Sequence, residues 1–166
     1  LDILVNNAGI TRDNLILRMK DEDWAEVMRV DLEAVFRLMR AAAKPMMKAR
    51  FGRIVSITSV VGATGNPGQA NYAASKAGVM AFVDALSGRL APLGGTANAV
   101  APGFVETELN RDLLASQAGE ELRAQSPFGR VARPEELAAA VVALAAPGAE
   151  WASGTVVDFN GASHLR

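Results

Sequence analysis

Four short apolar runs, residues 1–5, 54–59, 96–100 and 155–159, are each separated from the next by a stretch of helical character, and no hairpin turn joins any two of them. Strands that alternate with helices pair in parallel through crossovers. The pattern therefore predicts an α/β chain: four parallel strands with covering helices. No internal repeat, low-complexity tract or linker interrupts it.

Residues 1–5 run into Asn6-Asn7-Ala8-Gly9, a buried strand followed by a tight turn, and then a polar loop over 10–20. Asp21 reads as a helix cap, with Glu22 and Asp23 in the first turn, where the helix dipole favours anions. Trp24, Val27, Met28, Leu32, Val35, Phe36 and Met39 recur at three- and four-residue spacing, which predicts a helix from about 22 into the forties. Pro45 is expected to kink or end it. Phe51-Gly52-Arg53 turns the chain into the second strand, and 60–68, rich in Gly with one Pro, has loop composition. A second long helix is expected over about 69–91, where Ala70, Ala73, Ala74, Ala77, Gly78, Ala81 and Ala85 form a small-residue face open to another helix. Pro92 and Gly94-Gly95 close it. The third strand is weakened by Ala97 and Ala99, residues 101–107 break away from it, and 108–130 reads as short helical pieces with a mobile look. Pro134 suits a first helical position, opening an alanine-rich helix to about 146.

On the second long helix Tyr72 and Lys76 stand four apart and share one face, about one turn from each other. An ammonium beside a phenol favours the phenolate, moving a group with a reference pKa of about 10 toward working pH. That gives a proton donor and acceptor suited to carbonyl/alcohol interconversion. Composition removes the competing chemistries. Without cysteine there is no disulfide, thiolate nucleophile or zinc–thiolate site. One histidine, His164, is too few for a histidine-rich metal site or a Ser-His-Asp triad, so no metal is expected. A formal charge of −1 lacks the basic excess of a nucleic-acid binder, and no apolar run reaches the ~18 residues of a membrane span. The 166 residues suffice for one domain, and a cytoplasmic location is expected. The opening Leu1-Asp2-Ile3 has no initiator Met and no charged leader, which reads as a fragment or a chain with an N-terminal part removed.

Taken with the Asn6-Asn7-Ala8-Gly9 and Pro102-Gly103 turns, the set Ser59, Tyr72 and Lys76 resembles the short-chain dehydrogenase/reductase family over essentially the whole chain. Residues 1–20 and 101–107 are most similar to the bacterial 3-oxoacyl-[acyl-carrier-protein] reductases within it. The resemblance implies a single partial domain over 1–166, the carboxyl-terminal part of a doubly wound Rossmann-type sheet. It implies reduction of a 3-oxoacyl thioester, carrier-protein or CoA linked, with NADP or NAD as cofactor, NADPH being favoured by the resemblance only. Tyr72 is then the general acid that protonates the substrate oxygen as hydride arrives. Lys76 lowers the phenol pKa and bonds the ribose hydroxyls. Ser59, at a strand's carboxyl end where ligands of open α/β sheets bind, holds the carbonyl. By the same resemblance Asn6, Ala8 and Gly9 line the adenosine side of the cofactor. Val105 and Thr107 meet the nicotinamide carboxamide after the Pro102-Gly103 turn, although Thr107 also reads as the cap of a short helix. A homo-tetramer or dimer through the two long helices and the last strand is expected.

Three positions depart from the family's pattern. Asp31 stands where the family places an Asn as fourth member of the proton relay. Asp serves if the backbone carbonyl does the relay work; if the amide matters, a carboxylate near Lys76 over-stabilises the ammonium. A partly exposed helix carboxylate is the alternative reading. Of two arginines that meet the acidic carrier at the cleft mouth, Arg50 is present and the other is Leu93, which weakens steering of an acidic partner. No Gly-x-x-x-Gly-x-Gly occurs, since Gly62, Gly65 and Gly68 have another spacing. Three strand–helix units, at ~30 residues per βαβ unit, account for the missing portion. Their loss leaves residues 1–5 on an exposed edge and implies weak dinucleotide binding by the 166-residue chain. Two other readings compete: a reductase or dehydrogenase of a sugar, steroid or xenobiotic substrate, and a truncated, non-catalytic relative that associates through its small-residue helix face.

Overall fold

A computed structural model describes residues 1–165, apart from the side chain of Leu109. Strands β1 (Ile3–Asn6), β2 (Gly52–Ile57), β3 (Gly95–Pro102) and β4 (Val156–Phe159) form one parallel sheet in that order. Val5 pairs with Val55, Ile57 with Val100 and Pro102 with Phe159. Each crossover is helical, as the alternation predicts. Helices α1 (Asp21–Val27) and α2 (Ala34–Ala49) lie between β1 and β2. After β2 come α3 (Val61–Thr64) and α4 (Ala70–Leu90). Two short helices, α5 (Arg111–Leu114) and α6 (Gln117–Ala124), precede α7 (Pro134–Ala145).

Because side chains alternate along a strand, β2 feeds two cores. Ile54 packs with Ala97 and Ala99 beneath Met39, Met46, Val79 and Val83 of α2 and α4. Val55 and Val100 face the other way, against Leu144 and its neighbours on α7. The alanines expected to weaken β3 instead suit it to the centre. The whole strand is buried, and small side chains let α4 lie close above it. Asn98, also buried, ties the strand to the segment before β4 by donating to Ala152 O (2.7 Å) and accepting from Thr155 N–H (3.2 Å).

Several local expectations are corrected. Lys20, not Asp21, occupies the cap of α1, so Asp21 acts with Glu22 and Asp23 through the dipole of the first turn. The helix does not end at Pro45: α2 runs through it to Ala49. A proline removes one helical hydrogen bond, and the turn survives because Ala42 and Met46 on either side are buried in the core. Between α1 and α2 the winding loosens to a π-helical stretch, Met28–Glu33, of a kind found often at functional sites. The small-residue face of α4 is used inside the chain at Gly78, where an added Cβ would sit 2.9 Å from a Leu32 methyl. The 60–68 segment contains a helical turn rather than loop alone, and β2 stops at Ile57, two residues before Ser59. The region 101–107 leaves the sheet only after Pro102. Beyond it Val105 forms a parallel bridge with Ala132, Ala132 N–H donates to Phe104 O and Glu106 N–H donates to Ala132 O (3.0 and 2.8 Å).

Helix α2 closes on Arg50, whose backbone is left-handed (φ 53°), and β3 begins just beyond Gly94 (φ 78°). A Cβ at Gly94 would lie 2.3 Å from Arg50 O, in a conformation that already penalises L residues. Backbone cannot yield as a flexible side chain does. Gly94→Ala is expected to cost about 2–4 kcal/mol, read as a fall in the urea midpoint with unchanged slope.

Candidate active site

The carboxyl ends of the strands open into a cleft of about 850 Å³. Gly9, Ser59, Tyr72, Lys76, Pro102, Gly103, Val105 and Thr107 all line it, so eight of the residues singled out in the sequence meet in one place. Its remaining walls were not legible there. One is the apolar side of α7, including Leu137 and Val141, and the other is the loop bearing Thr11 and Arg12.

Three singled-out residues are elsewhere. Asn6 is buried and donates to Ser56 Oγ (3.0 Å), a bond between adjacent strands that keeps it out of the cleft. Ala8 is exposed and lines no part of it. Asp31 is fully buried behind Lys76, which removes the reading of a partly exposed helix carboxylate. Arg50 and Leu93 are not at the mouth of this cleft either. They lie together beyond the amino ends of β2 and β3, Arg50 reaching Pro92 O at 3.5 Å. Six strand residues, about 20 Å, separate that end from Ser59.

Each functional group has a local cause. Thr58 spends its hydroxyl on Val100 O (2.9 Å), which leaves Ser59 as the hydroxyl available to the cleft. Ser59 Oγ also accepts from Val61 N–H (3.2 Å), fixing the start of α3. Helix α4 presents Tyr72 and Lys76 on one side, the lysine nitrogen 5.3 Å from the centre of the tyrosine ring. Lys76 Nζ donates to Ile57 O (3.3 Å) and lies 3.4 Å from Asp31 Oδ2. Asp31 Oδ1 accepts from Ile10 N–H (2.8 Å). Gly9 leaves the space for this group, since a Cβ there would stand 3.1 Å from Lys76 Nζ and 3.2 Å from Asp31 Oδ2.

Asn71 was missed by sequence reasoning. Wholly buried at the head of α4, it donates to Arg12 O (3.0 Å) and accepts from Tyr72 N–H (2.8 Å). With Asn14 N–H bonded to Gly68 O and Gln69 bonded to Asp13, it fastens the loop after β1 over the catalytic helix. A polar residue beside a tyrosine was the only signal.

The electrostatics reverse one expectation. The Tyr72 phenol is pushed above its ordinary value, chiefly by burial and then by the Asp31 carboxylate; the Ser59 hydroxyl pulls it down and Asp13 pushes it up. Burial pushes Lys76 below its ordinary value, and Asp31 opposes that. The lysine alone would favour the phenolate. Here its charge is balanced by Asp31, and desolvation keeps the phenol protonated. Among the described residues no helix is long and apolar enough to cross a membrane, and no cluster of three His, Cys, Asp or Glu could hold a metal ion.

A parallel sheet with a Ser–Tyr–Lys cleft at its carboxyl ends defines a class, and comparison agrees: the chain belongs to the short-chain dehydrogenase/reductase family. Its residues 1–164 match the family described as "Enoyl-(Acyl carrier protein) reductase". Among curated relatives it is 49% identical over 165 residues to the 3-oxoacyl-[acyl-carrier-protein] reductase of Vibrio cholerae serotype O1, covering 99% of this chain and 67% of that protein. The same-named proteins of Escherichia coli strain K12 (50%, covering 99% and 67%) and Pseudomonas aeruginosa (48%, covering 98% and 66%) are comparably similar.

Proposed function

We propose that the chain carries the catalytic cleft of an NAD(P)H-dependent reductase of 3-oxoacyl thioesters. The observation that carries this reading is the convergence of Ser59, Tyr72 and Lys76 on one cleft at the sheet's carboxyl end. The matching family description speaks of an enoyl reductase and the relatives of 3-oxoacyl reductases. Identity near one half over 165 residues makes the relatives the nearer guide. Two hydroxyls on one side of the cleft also suit a carbonyl oxygen, which accepts two hydrogen bonds.

The residues fit the nicotinamide–ribose end of a dinucleotide. Gly9 has no Cβ to crowd Lys76, and Gly103, Val105 and Thr107 line the same cleft as Tyr72. When bound, a reduced nicotinamide supplies the hydride. Tyr72 gives its proton to the carbonyl oxygen as that oxygen becomes an alcohol, Ser59 holds the oxygen, and Lys76 offers its ammonium to ribose hydroxyls. Asp31 belongs to the same group through Lys76. NADPH as the preferred cofactor, a cytoplasmic location and assembly as a tetramer or dimer are part of the same proposal. Assembly also gives Arg50 a role: about 20 Å from its own cleft, it reaches an acidic carrier only at the cleft of a second copy. Its left-handed backbone, a strained conformation for arginine, is in keeping with a residue kept for contact rather than stability.

Steady-state NADPH oxidation tests the reading. Acetoacetyl-CoA and a carrier-linked 3-oxoacyl substrate are expected to turn over, the carrier-linked one with the lower KM. Turnover of sugar or steroid ketones with both thioesters untouched would overturn it.

A further inference from the structure

Asp31 is the group whose placement the reductase reading leaves without a reason. Its carboxylate is fully buried on the π-helical stretch Met28–Glu33. Oδ1 is held by Ile10 N–H, and Oδ2 accepts no hydrogen bond, having only Lys76 Nζ at 3.4 Å opposite it. Lys76 is itself 3% exposed. An isolated buried ammonium or carboxylate is costly, so each needs the other.

We propose that Asp31 is a charge-setting positioning residue: by pairing with Lys76 inside the protein it makes Tyr72 face a neutral pair rather than a bare ammonium. The functional consequence rests on the reductase reading, whereas the arrangement itself does not. A neutral pair leaves the phenol a proton donor over a wider alkaline range, the state a carbonyl reductase needs. The reverse reaction, which needs the phenolate, is held back until higher pH.

The other charges near the pair are accounted for. On α4 there are only Tyr72 and Lys76 at the site. On the loop after β1, Asp13 is bonded to Gln69 and Arg12 is paired with Glu26. On the π turn itself Arg29 and Glu33 are exposed, Glu33 being paired with Arg37. The β2 end contributes the Ile57 carbonyl and Ser59. None of these replaces the Asp31 charge beside Lys76.

The test exploits composition. Tyr72 is the only tyrosine, so tyrosinate absorbance during an alkaline titration of the full chain reports this one phenol. Asp31→Asn is expected to lower its midpoint by about one pH unit, because it removes the carboxylate that opposes ionisation of the phenol. The alkaline limb of kcat/KM should move with the midpoint. A midpoint that stays put or rises in Asp31→Asn overturns the proposal, and Asp31→Ser, which removes the same charge, is read if circular dichroism shows the Asn variant unfolded. Because the titration needs no substrate, this shift in a chain without thioester turnover would sink the reductase reading alone.

Discussion

Tyr72→Phe is expected to cut turnover about 10²–10⁴-fold while leaving dinucleotide affinity nearly unchanged. The substitution removes one hydroxyl. The ring that sits 5.3 Å from the lysine nitrogen remains, as does the backbone N–H bonded to Asn71. What disappears is the proton donor beside Ser59. NADPH oxidation measures the first quantity and nicotinamide fluorescence the second. Turnover comparable to the wild type would take Tyr72 out of its role, and a parallel loss of cofactor affinity would make it a binding residue. The pH dependence has a definite sign. The phenol lies above its ordinary value in the fold, so the donor is intact through neutral pH. In the reductive direction the rate should fall only on the alkaline side, as pH rises through that raised value.

Lys76→Met is expected to destabilise the fold by about 3–5 kcal/mol, because it leaves the fully buried Asp31 carboxylate without its opposite charge. The methionine matches the stem in volume, so the loss is electrostatic: Asp31 Oδ2 keeps no opposite charge and Ile57 O loses a donor. Adding Asp31→Asn should recover most of the stability, since a neutral amide tolerates burial that a lone carboxylate does not. Urea unfolding of the two single variants and the double closes the cycle. A loss below about 1 kcal/mol in Lys76→Met would show a pair screened as if it lay on the surface.

The architecture was legible because it depends on periodicity. Four apolar runs and intervening helical spacing specify a parallel sheet whatever the details, and Tyr72, Lys76 and Ser59 are placed by helix geometry and a strand end. What escaped depends on contacts between distant segments. Nothing local distinguishes Asn6, which bonds Ser56, from Gly9, which borders the cleft. The burial of Ala97 and Ala99 follows from α4 lying over them, whereas local propensity argues only for weakness. Pro45 survives inside a helix because the core holds its neighbours. Arg50 was assigned to the cleft mouth by likeness alone, and sheet direction puts it at the other end. The phenol's charge balance depends on a residue 41 positions away from Tyr72, which only the folded chain brings near.

The stitch between Val105 and Ala132 has a consequence for how such a cleft can change its clientele. Residues 106–131 leave and return through the same pair of backbone contacts, so the ends of this excursion are already joined. Lengthening a segment whose ends are fixed costs little, about 0.6 kcal/mol per doubling. The proton-handling groups on α4 and at the end of β2 lie outside it. Apart from Thr107, which lines the cleft, this excursion can therefore change in length or sequence while the groups that handle the proton stay where they are.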